Sequence, residues 1–136
     1  MTQLFVLPPF QTMKCVPFLF SDLSPLAGMD LEELQCGCSL VSDLSPLKGM
    51  KLQRLLCDST LVSDLAPIQG MPLTELTCED SRIVDLAIIK DMPLKHLRCD
   101  FVPERDSALL RGIKTLELIN LQPVVEFWML VDKAKP

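Results

Sequence analysis

Cysteine is the residue type with the most chemical potential in this sequence, and five of the six cysteines recur every 21 residues. A zinc site needs closely spaced pairs such as C-x2-C, whereas the only close pair here is Cys36-x-Cys38. Disulfides between cysteines of neighbouring repeats would need shorter Cβ distances than parallel stacking gives. Disulfides and metal binding are therefore the less favoured alternatives. The spacing predicts a ladder of buried thiols that act as small apolar side chains, formed by Cys15, Cys36, Cys57, Cys78 and Cys99.

The carboxylates and the single histidine indicate little acid–base chemistry. Aspartates recur at the same interval, and because they repeat with the fold we interpret them as caps of turns: Asp22, Asp43, Asp64, Asp85 and Asp106. His96 is predicted to be a solvated surface residue at an outward strand position, beside Arg98. The sequence therefore predicts no enzyme, no metal site and no other cofactor.

Apolar residues share the 21-residue interval and divide the chain into repeats 10–30, 31–51, 52–72, 73–93 and 94–114. In the third repeat, a short strand and the turn before it should point three residues inward: Leu52, Leu55 and Cys57. A second apolar set should return to the same core from the other side: Val62, Leu65, Ile68 and Met71. Between these sets, Ala66-Pro67 should open one short helical turn, and Gly70 should fit its tight exit.

This unit resembles the leucine-rich repeat pattern L-x-x-L-x-L-x-x-N/C-x-L, with cysteine at the third apolar position. One unit cannot bury its own apolar face, but stacked neighbours can. The sequence therefore predicts an α/β leucine-rich repeat solenoid, with a parallel sheet on one face and short helical turns on the other. We interpret residues 1–136 as a single domain, made of an N-terminal segment (1–9), five repeats (10–114), and a last strand with a capping helix (115–136).

The outer repeats depart from the pattern. The first, with Val16-Pro17-Phe18, should form an edge. In the fifth, Asp106-Ser107 should cap a longer helix over 107–112. The strand near 115–119 should then point three residues inward: Ile113, Leu116 and Leu118. At the ninth position, hydroxyl residues replace the usual asparagine and should tie neighbouring turns together more weakly: Ser39, Thr60 and Ser81.

The C-terminal residues predict a capping helix that starts at Pro123. An apolar stripe at i, i+3, i+4 and i+7 follows: Val124, Phe127, Trp128 and Val131. Solenoids need atypical end units to cover the exposed edge of the core. We therefore favour a sealing role for Phe127 and Trp128 over the alternative, an aromatic partner site.

Five segments carry a further resemblance: residues 41–50 (VSDLSPLKGM), 92–101 (MPLKHLRCDF), 103–106 (PERD), 115–120 (TLELIN) and 126–128 (EFW). They resemble the leucine-rich repeats of planctomycete bacteria that lie C-terminal to a serine/threonine protein kinase domain, and the resemblance extends from about residue 21 to 132. It implies a bacterial regulatory or targeting tail related to such a kinase. The motifs of kinase catalysis, including the Gly-rich phosphate loop, do not occur in this sequence.

Charge and hydropathy narrow the classes of partner. The chain has 13 Lys and Arg against 18 Asp and Glu, a formal net charge of −5, which disfavours nucleic acids and anionic membranes. No run of about 18 apolar residues occurs, and the N-terminus lacks the basic start and unbroken apolar stretch of a signal peptide. We therefore expect an unexported, cytoplasmic protein, where reducing conditions would keep the cysteines as thiols.

The outward strand positions form the predicted binding site, because solenoids present their strand face as an extended surface. These positions are Glu33, Gln35, Arg54, Leu56, Glu75, Thr77, His96 and Arg98. Charges alternate down the stack, so the side chains either pair with each other across strands or recognise an unidentified protein or peptide. The architecture favours a non-catalytic protein–protein interaction module. The alternatives are the kinase-related tail and a repeat fragment with no partner of its own.

Overall fold

The computed structural model describes residues 4–7, 12–15 and 20–136, whose strands form one sheet in sequence order. Strands β2 to β7 pair with their neighbours in parallel. At the two edges of the sheet, β1 pairs antiparallel with β2, and β8 pairs antiparallel with β7. The eight strands are β1 (Leu4–Leu7), β2 (Thr12–Cys15), β3 (Glu33–Gln35), β4 (Arg54–Leu56), β5 (Glu75–Thr77), β6 (His96–Arg98), β7 (Leu118–Ile119) and β8 (Gln122–Pro123). The predicted solenoid with a parallel sheet is confirmed.

Strands β1 and β8 were not expected from the sequence pattern, which predicts no strand in segment 1–9 or after residue 119. The residues Val16-Pro17-Phe18, predicted to form an edge, lie outside the described residues, as does Phe10 at the start of the first repeat.

The parallel strands keep the 21-residue interval as their pairing register. Leu34 lies opposite Leu55, which in turn lies opposite Leu76 and then Leu97, and all four are buried. Side chains alternate across a strand, so the residues on either side of each leucine point away from the core. The inward residues predicted for the third repeat, from Leu52 to Met71, are buried as expected.

Short 3₁₀ helices return the chain on the opposite side: Ser24–Leu26, Ser45–Leu47, Ala66–Ile68 and Ala87–Asp91. Before each one, an aspartate Oδ1 accepts the backbone N–H two residues ahead at 2.8 Å, which confirms four of the predicted turn caps: Asp22, Asp43, Asp64 and Asp85. Gly70 leaves its turn with a φ of 77°, a conformation that glycine adopts at little cost.

The fifth aspartate of the series plays a different role. Helix α1 spans Pro103–Gly112, so it begins four residues before the predicted start. Asp106 therefore lies inside the helix and reaches back, accepting the Val102 N–H at 2.8 Å and pairing with Arg105 at 2.6 Å. Burial would raise the pKa of Asp106, but the bonds from Arg105 and Val102 hold it below its usual value.

The strand after α1 is shifted by one residue. His96 pairs with Leu118, and Leu97 pairs with Ile119, a step of 22 residues in place of 21. Leu116 and Ile119 are consequently buried. The prediction that Leu118 points inward is wrong, because the longer α1 places it on the outward face beside His96.

An asparagine side chain ends the regular hydrogen-bond pattern. In the inner repeats, the N–H of each ladder cysteine donates to a main-chain carbonyl of the next strand, as Cys78 does to Arg98. Cys99 donates instead to Oδ1 of Asn120 at 2.9 Å, and the amide Nδ2 of Asn120 donates back to the Cys99 carbonyl at 3.1 Å. The Asn120 side chain thus makes the hydrogen bonds to Cys99 that the main chain of a neighbouring strand would otherwise make.

The hydroxyls at the ninth position do not tie neighbouring turns together, contrary to the prediction. Each donates to the carbonyl of the cysteine three residues earlier in its own repeat: Ser39, Thr60 and Ser81. A hydroxyl is one atom beyond Cβ, so it reaches its own turn, whereas the longer amide of Asn120 spans two repeats.

Helix α2 (Val124–Lys133) closes the C-terminal end, as predicted. Phe127 is buried, and Val124, Trp128 and Val131 pack against the core. Phe101 joins them, with its ring centroid 4.9 Å from Phe127 and 5.9 Å from Trp128. Arg111 lies 4.0 Å above the Trp128 ring and pairs with Asp132 at 2.7 Å, which fixes α2 to α1.

We expect Phe127→Ala to lower the free energy of unfolding by about 3–5 kcal/mol, because it opens a cavity in a buried aromatic cluster. Val125→Ala is the matched control, since Val125 is 68% exposed on the same helix and should change stability by less than about 0.5 kcal/mol. Guanidinium unfolding curves compare the two variants. Equal stability losses would show that α2 does not seal the core.

We expect Asn120→Gly to cost about 2 kcal/mol, because it removes both bonds to the Cys99 backbone. Glycine tolerates the φ of 49° at this position, so the variant isolates the side-chain contribution. Amide hydrogen exchange at Cys99 should also accelerate. Unchanged exchange there would contradict the role of the amide as a substitute strand.

Candidate binding surface on the strand face

The predicted binding residues share one face of the sheet. Their strand positions form two rows across the sheet, and all are half-buried except Thr77, which is 6% exposed. The first row runs Glu33, Arg54, Glu75 and His96, and the shifted register adds Leu118 at its end. The second row comprises Gln35, Leu56, Thr77 and Arg98.

Three charged side chains of the first row pair with each other and leave one net negative charge. Arg54 donates from Nε to Glu75 at 2.8 Å and from Nη1 to Glu33 at 2.9 Å. The hydrogen bond to Glu75 is the main reason why the pKa of Arg54 lies above its ordinary value. The Gln35 amide also donates to Glu33. The pairing interpretation is therefore confirmed for this part of the row, where each exposed pair contributes under about 1 kcal/mol.

The alternation of charge does not extend to Arg98. This residue belongs to the second row and pairs with Glu79 at 2.5 Å, so it is His96 that lies opposite Glu75. Thr77 donates to Asp58 Oδ1 at 3.0 Å, which turns its hydroxyl away from the surface. Both partners lie in the loops that follow the strands, outside the rows that the sequence analysis considered.

A shallow depression of about 60 Å³ lies at the C-terminal end of this face. We call it the C-terminal hollow, and its outward walls are Glu75, Thr77, His96, Arg98, Leu118 and Leu121. Its volume is well below the roughly 300–1,000 Å³ of small-molecule sites, so it suits a single side chain. Sequence analysis missed Leu118, because of the register shift, and Leu121, which lies beyond the repeats.

The cysteine ladder lies on the inner side of the sheet, where burial keeps the described thiols of Cys57, Cys78 and Cys99 protonated. Cys36, Cys57, Cys78 and Cys99 are buried, whereas Cys38, which is not part of the ladder, has a φ of 55° and is exposed. Burial raises the pKa of Cys57 and Cys78 well above the ordinary value and that of Cys99 to about 12. The Cys15 side chain is outside the described part of the chain.

Across residues 4–7, 12–15 and 20–136, no cluster of three or more His, Cys, Asp or Glu side chains has a metal-binding arrangement. Within the same residues, no helix has the length and apolar character needed to cross a membrane.

Comparison with solved structures assigns the fold. An internalin (InlF) from Listeria monocytogenes is similar over 74% of this chain, with 24% identity and a TM-score of 0.62. An internalin C2 from the same species is similar over 73% of this chain, with 25% identity and a TM-score of 0.53. Both are leucine-rich repeat proteins.

This chain has the leucine-rich repeat fold. It spans about a third of the length of these structures, 33% and 36% respectively. No protein-family model matches the sequence, and no curated protein is significantly similar to it.

We expect the free energy of unfolding to fall as the pH rises above about 9. The unfolded chain releases its thiol protons near the ordinary pKa of 9.0, while the folded state retains them at Cys57, Cys78 and Cys99. Below pH 9 the thiols do not reduce the free energy of unfolding. Between pH 9 and 10, each buried thiol lowers the free energy of unfolding by about 1 kcal/mol. Guanidinium titrations at each pH measure the loss. Cys78→Ala should reduce the slope of this pH dependence, and an unchanged slope would contradict this origin.

Proposed function

We propose that this chain is a non-catalytic interaction module that binds a protein or peptide through its strand face. The observation that carries the proposal is the C-terminal hollow, where the apolar side chains of Leu118 and Leu121 border the half-buried His96. The remainder of the outward row is occupied by its own ion pairs. Similarity to the internalins supports the fold and leaves the partner unidentified.

The Glu33–Arg54–Glu75 ion pairs connect neighbouring strands beside the hollow and support this proposal. They link three adjacent strands and leave a single net negative charge on that part of the face. A partner that approaches there must compete with bonds already made, so binding energy should come from the less satisfied hollow. With no aromatic side chain among its walls, the hollow should give modest affinity.

The proposed compartment is the cytoplasm. Support comes from Cys57, Cys78 and Cys99, which are buried as thiols at neighbouring rungs. Such thiols persist where reducing conditions prevail.

A second proposal is that the chain acts as the regulatory or targeting tail of a serine/threonine kinase. It rests on the resemblance of residues 41–50, 92–101, 103–106, 115–120 and 126–128 to planctomycete repeats that follow kinase domains. A kinase domain encoded directly upstream in the same reading frame would support it.

Affinity capture with paired baits tests the interaction proposal. The parent chain should retain a protein from its native lysate that the variant His96→Glu loses. The double variant Arg54→Glu, Leu56→Asp should lose it as well, because it removes the cation that pairs with Glu75 in the wall of the hollow. These changes alter the strand face, where all three residues are half-buried.

The matched control is the double variant Val84→Asp, Lys90→Glu, which makes similar charge changes at exposed residues away from the strands. It should retain the same protein as the parent. Identical captures by all baits would contradict a site on this face. Empty captures by all baits would favour a repeat fragment with no partner.

A further inference from the structure

The hairpin holds Leu121 in a backbone conformation that a leucine residue disfavours. Leu121 forms, with Asn120, the two-residue loop of the hairpin between β7 and β8, and both residues have positive φ, 49° and 67°. Positive φ at both positions is the type I′ pattern, which strongly prefers Asn-Gly. Asn120 meets this preference, whereas the Cβ of Leu121 makes the left-handed conformation costly.

Burial does not compensate for this strain. The Leu121 side chain is 70% exposed, the largest exposed fraction among the exposed large apolar residues of the described chain. A strained backbone that carries an exposed apolar side chain into a hollow is typical of a functional position. The role of Leu121 must therefore be sought in what it contacts.

The polar side of the C-terminal hollow has a buried donor without an acceptor. Glu75 already accepts from Arg54, and Arg98 donates from Nη2 to Glu79. The Nε of Arg98 is buried and has no hydrogen-bond partner. The unsatisfied group on this side of the hollow is thus an N–H donor of a guanidinium, and a carboxylate is the acceptor that bonds a guanidinium most strongly.

We propose that the C-terminal hollow binds a peptide segment in which an aliphatic side chain is followed by a carboxylate, as in Leu-Glu. The proposal rests on the proposed function and specifies its partner. The aliphatic side chain contacts Leu118 and Leu121, the two leucines of the hollow's outward walls. The carboxylate accepts from His96 and draws the Arg98 guanidinium toward it, which gives Nε the acceptor that it lacks.

Titration of the ¹⁵N-labelled chain with the peptide acetyl-Gly-Ser-Leu-Glu-Ser-Gly-amide tests the proposal. Chemical shifts should change at His96, Arg98, Leu118 and Leu121. Peptides with Leu-Gln or Ser-Glu in place of Leu-Glu should bind at least about 5-fold more weakly, because each lacks one of the two contacts. Equal binding of the three peptides, shift changes centred elsewhere, or no shift changes at millimolar peptide would overturn the assignment.

Leu121→Gly separates binding from folding. Glycine fits the φ of 67°, so the variant should unfold at the same temperature as the parent or roughly 2 °C higher, while its binding of the Leu-Glu peptide falls at least about 5-fold. Val84→Ser, which alters a 65% exposed apolar residue away from the hollow, should bind like the parent. A destabilised Leu121→Gly, or one that binds the peptide normally, would contradict the role assigned to Leu121.

Failure of this inference can be distinguished from failure of the proposed function. If Leu121→Gly captures the same lysate protein as the parent while Arg54→Glu, Leu56→Asp does not, the strand face binds a partner and the hollow is not its site. If the strand-face variants capture everything that the parent does, the proposed function itself is wrong.

Discussion

The constant register between parallel strands is the constraint on which the rest of the structure depends. Each inner strand is three residues long, with one buried leucine between two outward side chains. A slip of one residue would place Arg54 or Glu75 in the core, which is far costlier than any surface contact can offset. The return segments must therefore have equal length. The Asp64 cap and the left-handed Gly70 set that length in the third repeat.

The end of the solenoid shows how this constraint is relaxed. The fifth repeat replaces a 3₁₀ helix with α1 and becomes one residue longer. Asn120 then supplies, through its side chain, the bonds that a further strand would have made. Phe101, Phe127 and Trp128 cover the core beyond it, so polar and apolar groups are both satisfied where the periodic pattern stops.

What the sequence could predict follows from this periodicity. The buried columns, the turn caps and the outward rows all repeat, so their positions follow from one interval. The length of α1 does not repeat, and therefore Leu118 was assigned to the wrong face. The pairing of Arg98 with Glu79 also escaped prediction, because strand alternation says nothing about side chains in the following loop. The positive φ of Leu121, which carries the binding hypothesis, depends on a hairpin whose loop lacks the usual glycine.

The pairing of each described parallel strand with a strand only 21 or 22 residues away has a consequence for how the chain folds. No loop closure between distant parts of the chain is needed to extend the parallel sheet, so its entropic cost is paid in small, nearly equal steps. Assembly can therefore begin at the C-terminal end, where α2 and β7 lie close in sequence, and add one repeat at a time. In such a chain, unfolding of a terminal repeat removes contacts only from the adjacent repeat, and the remaining repeats keep their neighbours.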